Sequence, residues 1–325
     1  MTSRQLSSRG QLLLVGAVAL AVIILGLSVV VNTVLFTENV GTGEDRVESS
    51  EISEFTFESQ RDVRSLLLRI NHANETRTVS ELNANVRRRI ADYSDGMARM
   101  YASSGSKFVD VSYNQTLITA TRIVQNHDRN FTYSSSGATV SNWSFTDDRV
   151  DIGWFVVNVD LRNTSGEHTT LKVDGENEAM TYQLNRSDGG NGADLRVQTT
   201  DSAGGSDTTT CESTGGRVLL DLRSGKAFAS ECTFRGIETL SPPYSVSISN
   251  GNNIEGQYDL AVDTEWSKDV DAEAANGSTY DYSACSPGDP VPCLSPIVWK
   301  GQVDVTYRSD QTDFTTTRNV SVYGS

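Results

Sequence analysis

The sequence predicts an α+β protein: an N-terminal transmembrane helix, a helical stalk or hairpin, and then a β-rich, sandwich-like extracellular region. Three observations carry that expectation. The stretch Leu12 to Phe36 is apolar and uncharged, residues 51–104 repeat their apolar positions at helical spacing, and from Phe108 onward the period falls to two.

The N-terminal run is long enough to span a bilayer. A helix from Leu12 to Phe36 reaches about 37 Å at ~1.5 Å per residue, against a hydrocarbon core of roughly 30 Å. A cleaved secretory signal has a shorter apolar core followed by a small-residue site. Here the small-x-small matches, Ala17-Val18-Ala19 and Ala19-Leu20-Ala21, fall inside the run, so cutting there would leave an equally apolar new terminus. Arg4 and Arg9 precede the run while Glu38, Glu44 and Asp45 follow it, which by the positive-inside rule places the remainder of the chain outside. The localisation expected from the sequence is therefore a single-pass cell-membrane protein with an extracellular C-terminal region, in contact with membrane lipid.

Composition narrows the class. Acidic residues outnumber basic ones 42 to 27, for a formal net charge of −15. A nucleic-acid partner is disfavoured, because phosphate binding needs a basic patch. Like-charge repulsion at this level is relieved by salt, whose screening length falls to about 3 Å at 1 M. The acid-rich, lysine-poor balance resembles that of halophilic proteins.

Beyond the neck, residues 37–50, Ile52, Phe55, Val63, Leu66, Leu67 and Ile70 place an amphipathic helix over Glu51 to His72. Thr78-Val79-Ser80-Glu81 is a capping box that opens a second helix, with Val79, Leu82, Val86, Ile90, Tyr93, Met97 and Met100 along one side. Residues 105–200 then read as a β-rich domain with strands at Phe108–Tyr113, Val150–Leu161, Leu171–Val173, Met180–Leu184 and Leu195–Val197. A Gly/Ser/Thr linker is expected at 201–210. A second β-rich region, 211–325, carries strands at Val218–Leu222, Tyr244–Ile248, Tyr258–Val262, Val298–Trp299, Val303–Tyr307 and Val320–Tyr323. Strands at this spacing with turn signals between them indicate a sandwich, as one β domain or two.

The four cysteines all lie in that last region. An even number in an outward-facing chain reads as disulfides. Three connectivities are possible, and the sequential one, Cys211 with Cys232 and Cys285 with Cys293, is expected. A zinc site is the alternative, but the chain has no C-x-x-C spacing and no histidine near these cysteines. Glycosylation sequons stand at Asn74, Asn114, Asn130, Asn142, Asn163, Asn185, Asn276 and Asn319.

Catalytic signatures are missing: there is no G-x-S-x-G, no phosphate-binding G-x-x-x-x-G-K-[S/T] and no H-E-x-x-H. His72, His127 and His168 stand apart in sequence and read as ordinary surface residues, so no enzyme is expected. Gly189-Gly190-Asn191-Gly192-Ala193-Asp194 approaches a calcium-binding repeat, but a single copy lacks the stacked neighbour that completes the ion's shell, and a loop is expected. Asp269, Asp271 and Glu273 read as a solvated acidic loop. No cofactor and no metal is expected.

The leader adds a resemblance. Ser8-Arg9-Gly10-Gln11, followed at once by the apolar run, resembles the class III signal of archaeal, and in particular haloarchaeal, type IV pilin-like proteins. The resemblance implies that a prepilin peptidase removes residues 1–10 by cutting between Gly10 and Gln11. It also implies that residues 11–36 remain as the transmembrane and assembly helix, and that other pilin-like subunits are partners. Bacterial members carry a glutamate at the fifth mature position, where this chain has Val15. The function so implied is a membrane-anchored extracellular pilin-like surface protein, a minor subunit in adhesion or surface structure. The alternative is a single-pass surface glycoprotein that does not polymerise.

Overall fold

The computed structural model describes residues 50–323 apart from 74–75, 77, 105–106, 136–137, 147–149, 190–191, 229 and 265–291. The expected leader 1–10, the apolar run 11–36, Asn74, Asn276, Cys285 and the acidic triplet at Asp269 lie outside the described residues. The chain divides into two compact units, residues 1–58 and 59–325. The contacts described below belong to the second.

Residues 50–72 are helical (α1), and α2 spans Val79–Ser104. The Thr78 hydroxyl accepts the Glu81 backbone N–H at 3.2 Å, so the capping box starts α2 where the sequence places it. The strands follow as β1 (Phe108–Asn130), β2 (Tyr133–Ser135), β3 (Ala138–Val140), β4 (Trp143–Ser144), β5 (Ile152–Asp160), β6 (Thr169–Asp174), β7 (Ala179–Gly189) and β8 (Gly192–Asp201). The remainder are β9 (Ser206–Cys211), β10 (Arg217–Asp221), β11 (Lys226–Phe228), β12 (Ser245–Ser249), β13 (Glu255–Val262), β14 (Cys293–Arg308) and β15 (Asp313–Ser321).

These strands build two antiparallel sheets, a seven-stranded one in the order β11-β10-β5-β13-β1-β14-β15 and a six-stranded one in the order β4-β12-β6-β7-β8-β9, plus the hairpin β2-β3. Strands from 105–200 and from 211–325 are mixed within both sheets. The stretch 201–210 carries the end of β8, a turn and most of β9, which pairs back onto β8 from Leu195↔Cys211 to Thr200↔Ser206. The calcium-like glycine run forms the tip of the β7–β8 hairpin, closing at Gly189↔Gly192.

The two sheets face each other across an apolar core. Because successive strand residues point to opposite faces, Phe155, Val157 and Val159 of β5 and Tyr258, Leu260 and Val262 of β13 enter this core. They meet Leu171, Val173, Tyr182, Leu184 and Val197 from the other sheet. An aromatic group closes one end, with Phe145 4.2 Å from Trp143 and 5.1 Å from Tyr258 between ring centroids. The intervening residues of the seven-stranded sheet face the other way, toward the helices. There Leu67 of α1 and Leu82, Val86 and Ile90 of α2 are fully buried. Gly301 lies beneath Leu67 and Tyr113. Ser94 of α2 donates to Asp110 at 2.9 Å and accepts the Val111 N–H at 2.8 Å, covering an edge of β1 that no strand pairs among the described residues.

Two expectations are corrected here. The α+β arrangement with a separate helical stalk is replaced by a mostly β fold of two antiparallel sheets. Residues 59–72 of α1 and helix α2 lie on the seven-stranded sheet, because their apolar stripes are wide enough to need a partner and the outward face of β1 and β14 supplies one. The single-pass membrane localisation is corrected as well: among the described residues no helix is long and apolar enough to cross a membrane. Both helices carry arginines along their length, Arg61, Arg64 and Arg69 in α1 and Arg87, Arg88 and Arg89 in α2, which hydrocarbon would not accommodate.

Candidate functional site

The densest polar cluster lies where the end of α1 meets the helix-facing side of the seven-stranded sheet. In β13 the sequence Tyr258-Asp259-Leu260 sends the two apolar side chains into the sandwich, so Asp259 must point to the opposite face. In β1, Ile123 enters the core and Arg122 points with Asp259. The register Val124↔Asp259 and Arg122↔Ala261 makes Arg122 and Asp259 diagonal neighbours on adjacent strands.

Arg122 grips the carboxylate with two bonds, Nε to Oδ1 and Nη2 to Oδ2, both 2.8 Å. His72, at the end of α1, places Nδ1 2.8 Å from Oδ2. A carboxylate can only accept, so Nδ1 donates to it. The Tyr323 hydroxyl lies 3.0 Å from the His72 Nε2 and accepts a bond from Asn71 Nδ2 at 3.1 Å. Asn71 also clamps the backbone of Val298, accepting its N–H at 2.9 Å and donating to its C=O at 2.8 Å. The His72 ring packs against Trp154 of β5 with centroids 5.0 Å apart, and Tyr323 packs on Trp299 at 5.0 Å.

Electrostatics follows from this wiring. Burial alone would push the Asp259 carboxyl up, but the hydrogen bonds from His72 and Arg122, with the guanidinium charge, outweigh it and hold the group below the usual carboxylate range. Burial pushes the Tyr323 phenol well up, so it is neutral at any ordinary pH. Carboxylate, imidazole and phenol thus form a relay whose members are satisfied by one another. What it does chemically is fasten α1, β1, β13, β14 and the C-terminal residues together.

A second cluster sits farther along the same sheet. Arg217 holds Asp128 with two bonds of 2.7 and 2.8 Å and reaches Asn158 at 3.1 Å. Asp160 is buried and paired with Arg162, whose hydrogen bonds hold its carboxyl below the usual range. A recess at the six-stranded sheet is lined by Glu178, Met180, Asp201, Arg235 and Leu240, and Arg235 is ion-paired to Asp201 across it. Among the described residues no group of three or more His, Cys, Asp or Glu side chains is placed to hold a metal.

The residues singled out from sequence are dispersed. Cys211 and Cys232 form a disulfide with Cα atoms 5.1 Å apart, tying β9 to the segment after β11. Cys293 is also disulfide-bonded, and its expected partner Cys285 lies outside the described residues. Gly10 and Gln11 lie outside them too. Of the sequon asparagines, Asn114, Asn142, Asn163 and Asn319 are exposed, while Asn130 and Asn185 are half-buried.

His72 is the position where sequence reading went astray, since it is a tied member of a cluster and not a lone surface residue. The available signal was the charge within apolar strands, Asp259 between Tyr258 and Leu260 and Arg122 beside Ile123. Such charges need partners once the strand is buried on both faces.

Fold and site together define an antiparallel β-sandwich protein with a helical layer on one sheet, held by buried polar clamps and disulfides. The chain belongs to a family of unknown function (DUF7261), whose profile matches residues 6–173. No curated protein and no solved structure matches it.

Proposed function

We propose that this chain is a structural or adhesive subunit of the pilin-like kind, and not an enzyme. The observation that carries this reading is the leader Ser8-Arg9-Gly10-Gln11 set directly before an uncharged run that ends at Phe36. Cutting after Gly10 would leave that run on the mature chain, where it offers an apolar surface for association with other subunits. Two features add support. The polar clusters are spent on holding elements together, and the disulfide Cys211–Cys232 fits an oxidising compartment. The charge of −15 with few lysines fits work in concentrated salt, in a haloarchaeal setting. The second reading, a surface glycoprotein that does not polymerise, draws on the exposed sequons Asn114, Asn142, Asn163 and Asn319.

Mass spectrometry of protein from its native host tests the proposal. The expected mature terminus is Gln11, free or cyclised, and Gly10→Trp should retain residues 1–10. A surface-exposed protein that still begins at Met1 or Thr2 would remove the pilin-like reading. Filaments absent from micrographs of correctly cut protein, with sugar masses on the exposed asparagines, would favour the glycoprotein.

A further inference from the structure

Sheet edges are where a β protein invites a partner, and this fold protects most of its own. β11 and β4, at the ends of the two sheets, are only 3 and 2 residues long. The stretch of β1 near Val111, unpaired on one side among the described residues, is covered by Ser94 of α2. β9 is fastened at its end by the Cys211–Cys232 disulfide. The exception is β15, Asp313–Ser321, which is 9 residues long and forms the outer edge of the seven-stranded sheet. Among the described residues no strand pairs with its outer side.

The orientation of its backbone can be fixed. Gln60 Nε2 donates to the Asn319 carbonyl at 3.1 Å, so that carbonyl points away from β14. Three residues on, at the opposite phase of the strand, the Val322 N–H bonds inward to Trp299 at 2.9 Å. With a period of two, the N–H and C=O groups of Thr317, Thr315 and Asp313 therefore also face outward. Its deterrents are few: Asp313 is its single charge and is paired with Arg308, and the Gln60 bond caps the edge only at Asn319, beyond this stretch. Asp313-Phe314-Thr315-Thr316-Thr317 contains no proline, lysine or glycine and no bulge in its pairing with β14. Its side chains are committed to its own sheet: Thr317 donates to Asp304 at 2.6 Å, Thr315 lies 3.2 Å from Thr306, and Asp313 pairs with Arg308 at 3.0 Å.

We propose that β15 is a self-association edge, and that its partner is the same strand of a second copy of this chain, antiparallel about a two-fold axis at Thr315. The occupant is chosen by self-complementarity. A two-fold axis through Thr315 sets Thr315 opposite its own copy and Asp313 opposite Thr317, so the outward groups of both strands meet in register. No like charges are juxtaposed, because the only acid in the paired segment faces a threonine. Pairing of this kind forms about six new backbone hydrogen bonds and continues one seven-stranded sheet into the next. It goes beyond the pilin-like reading and does not depend on whether the leader is cut.

The test is register-specific crosslinking of the full chain. Residues opposite each other in a hydrogen-bonded antiparallel pair have Cα atoms about 5.5 Å apart, within disulfide reach. Thr315→Cys should form a covalent dimer under mild oxidation about tenfold faster than Thr316→Cys or Thr317→Cys, neither of which faces its own copy. Thr315→Pro, which removes an outward N–H and leaves the bonds to β14 intact, should lower the dimer fraction measured by light scattering at unchanged circular dichroism. Equal crosslinking rates at the three positions, or a monomeric mass for wild type at high concentration, would overturn the proposal. Association through the apolar N-terminal run would crosslink without preference for Thr315, so failure here is distinct from failure of the pilin-like reading.

Discussion

Replacing Asp259 by alanine isolates what the polar clamp is worth. The variant leaves the Arg122 guanidinium, whose side chain is only 6% exposed, without its counter-charge, and leaves the His72 Nδ1–H without an acceptor. Removing one partner of a buried ion pair costs about 3–5 kcal/mol, because the remaining charge stays desolvated. The Asp259 side chain keeps 20% exposure, so water can partly replace it and the lower end, about 3 kcal/mol, is expected. For a domain of this size that is a fall in Tm of about 6–12 °C in a calorimetric or circular dichroism melt. Arg122→Met alone should cost less, and the double replacement Arg122→Met with Asp259→Leu should recover most of the loss, since a well-packed apolar pair can replace an ionic one. The pH dependence has a definite sign. The folded carboxyl titrates below its unfolded value of about 3.9, so its contribution is full above that pH and is lost as pH falls through the folded value. Asp259→Ala should therefore flatten the acid limb of the stability curve below about pH 4. A variant within about 0.5 kcal/mol of wild type, or single-variant losses that add in the double, would refute the reasoning.

Two further outcomes are expected. Gly153 packs against the Tyr323 ring, so that a Cβ there would collide with it; Gly153→Ala should cost about 1–3 kcal/mol by overpacking, read in urea unfolding, and should raise hydrogen exchange at Val322 and Tyr323 first. Replacing Cys211 and Cys232 together by serine opens a link across a sequence separation of 21 and should cost about 2–4 kcal/mol in the same assay, with an unchanged denaturant midpoint arguing that β9 is held by its pairing to β8 alone.

Much of the β architecture was legible as period-two runs. The strands at Val218–Leu222, Tyr244–Ile248 and Tyr258–Val262 each fall on an observed strand, because burial of one face imposes alternation on the residues themselves. The start of α2 was legible for a local reason too, the Thr78 cap. β15 from Asp313 to Arg318 was not, since an edge strand with one side in water needs no apolar alternation. Nor was the continuation of β1 to Asn130, because Arg122 and Gln125 interrupt the pattern and find Asp259 and the Gly256 carbonyl, both distant in sequence.

The sequence by itself therefore determined the local terms: which periodic segments are helix or strand, which face of each is apolar, the excess of carboxylates and the uncharged run after Gly10. Only tertiary structure decided that residues 59–72 of α1 and helix α2 would lie on a sheet and not stand as a stalk, and that strands from both halves of the chain would share two sheets. It also brought His72, Arg122, Asp259 and Tyr323 to within hydrogen-bonding distance of one another. The physical reason is that a stripe of apolar side chains specifies that it must be covered but not by what, and a charge within a strand specifies that it needs a partner but not which. Those choices depend on register between strands far apart in the chain, a property of pairs of segments that no single segment carries.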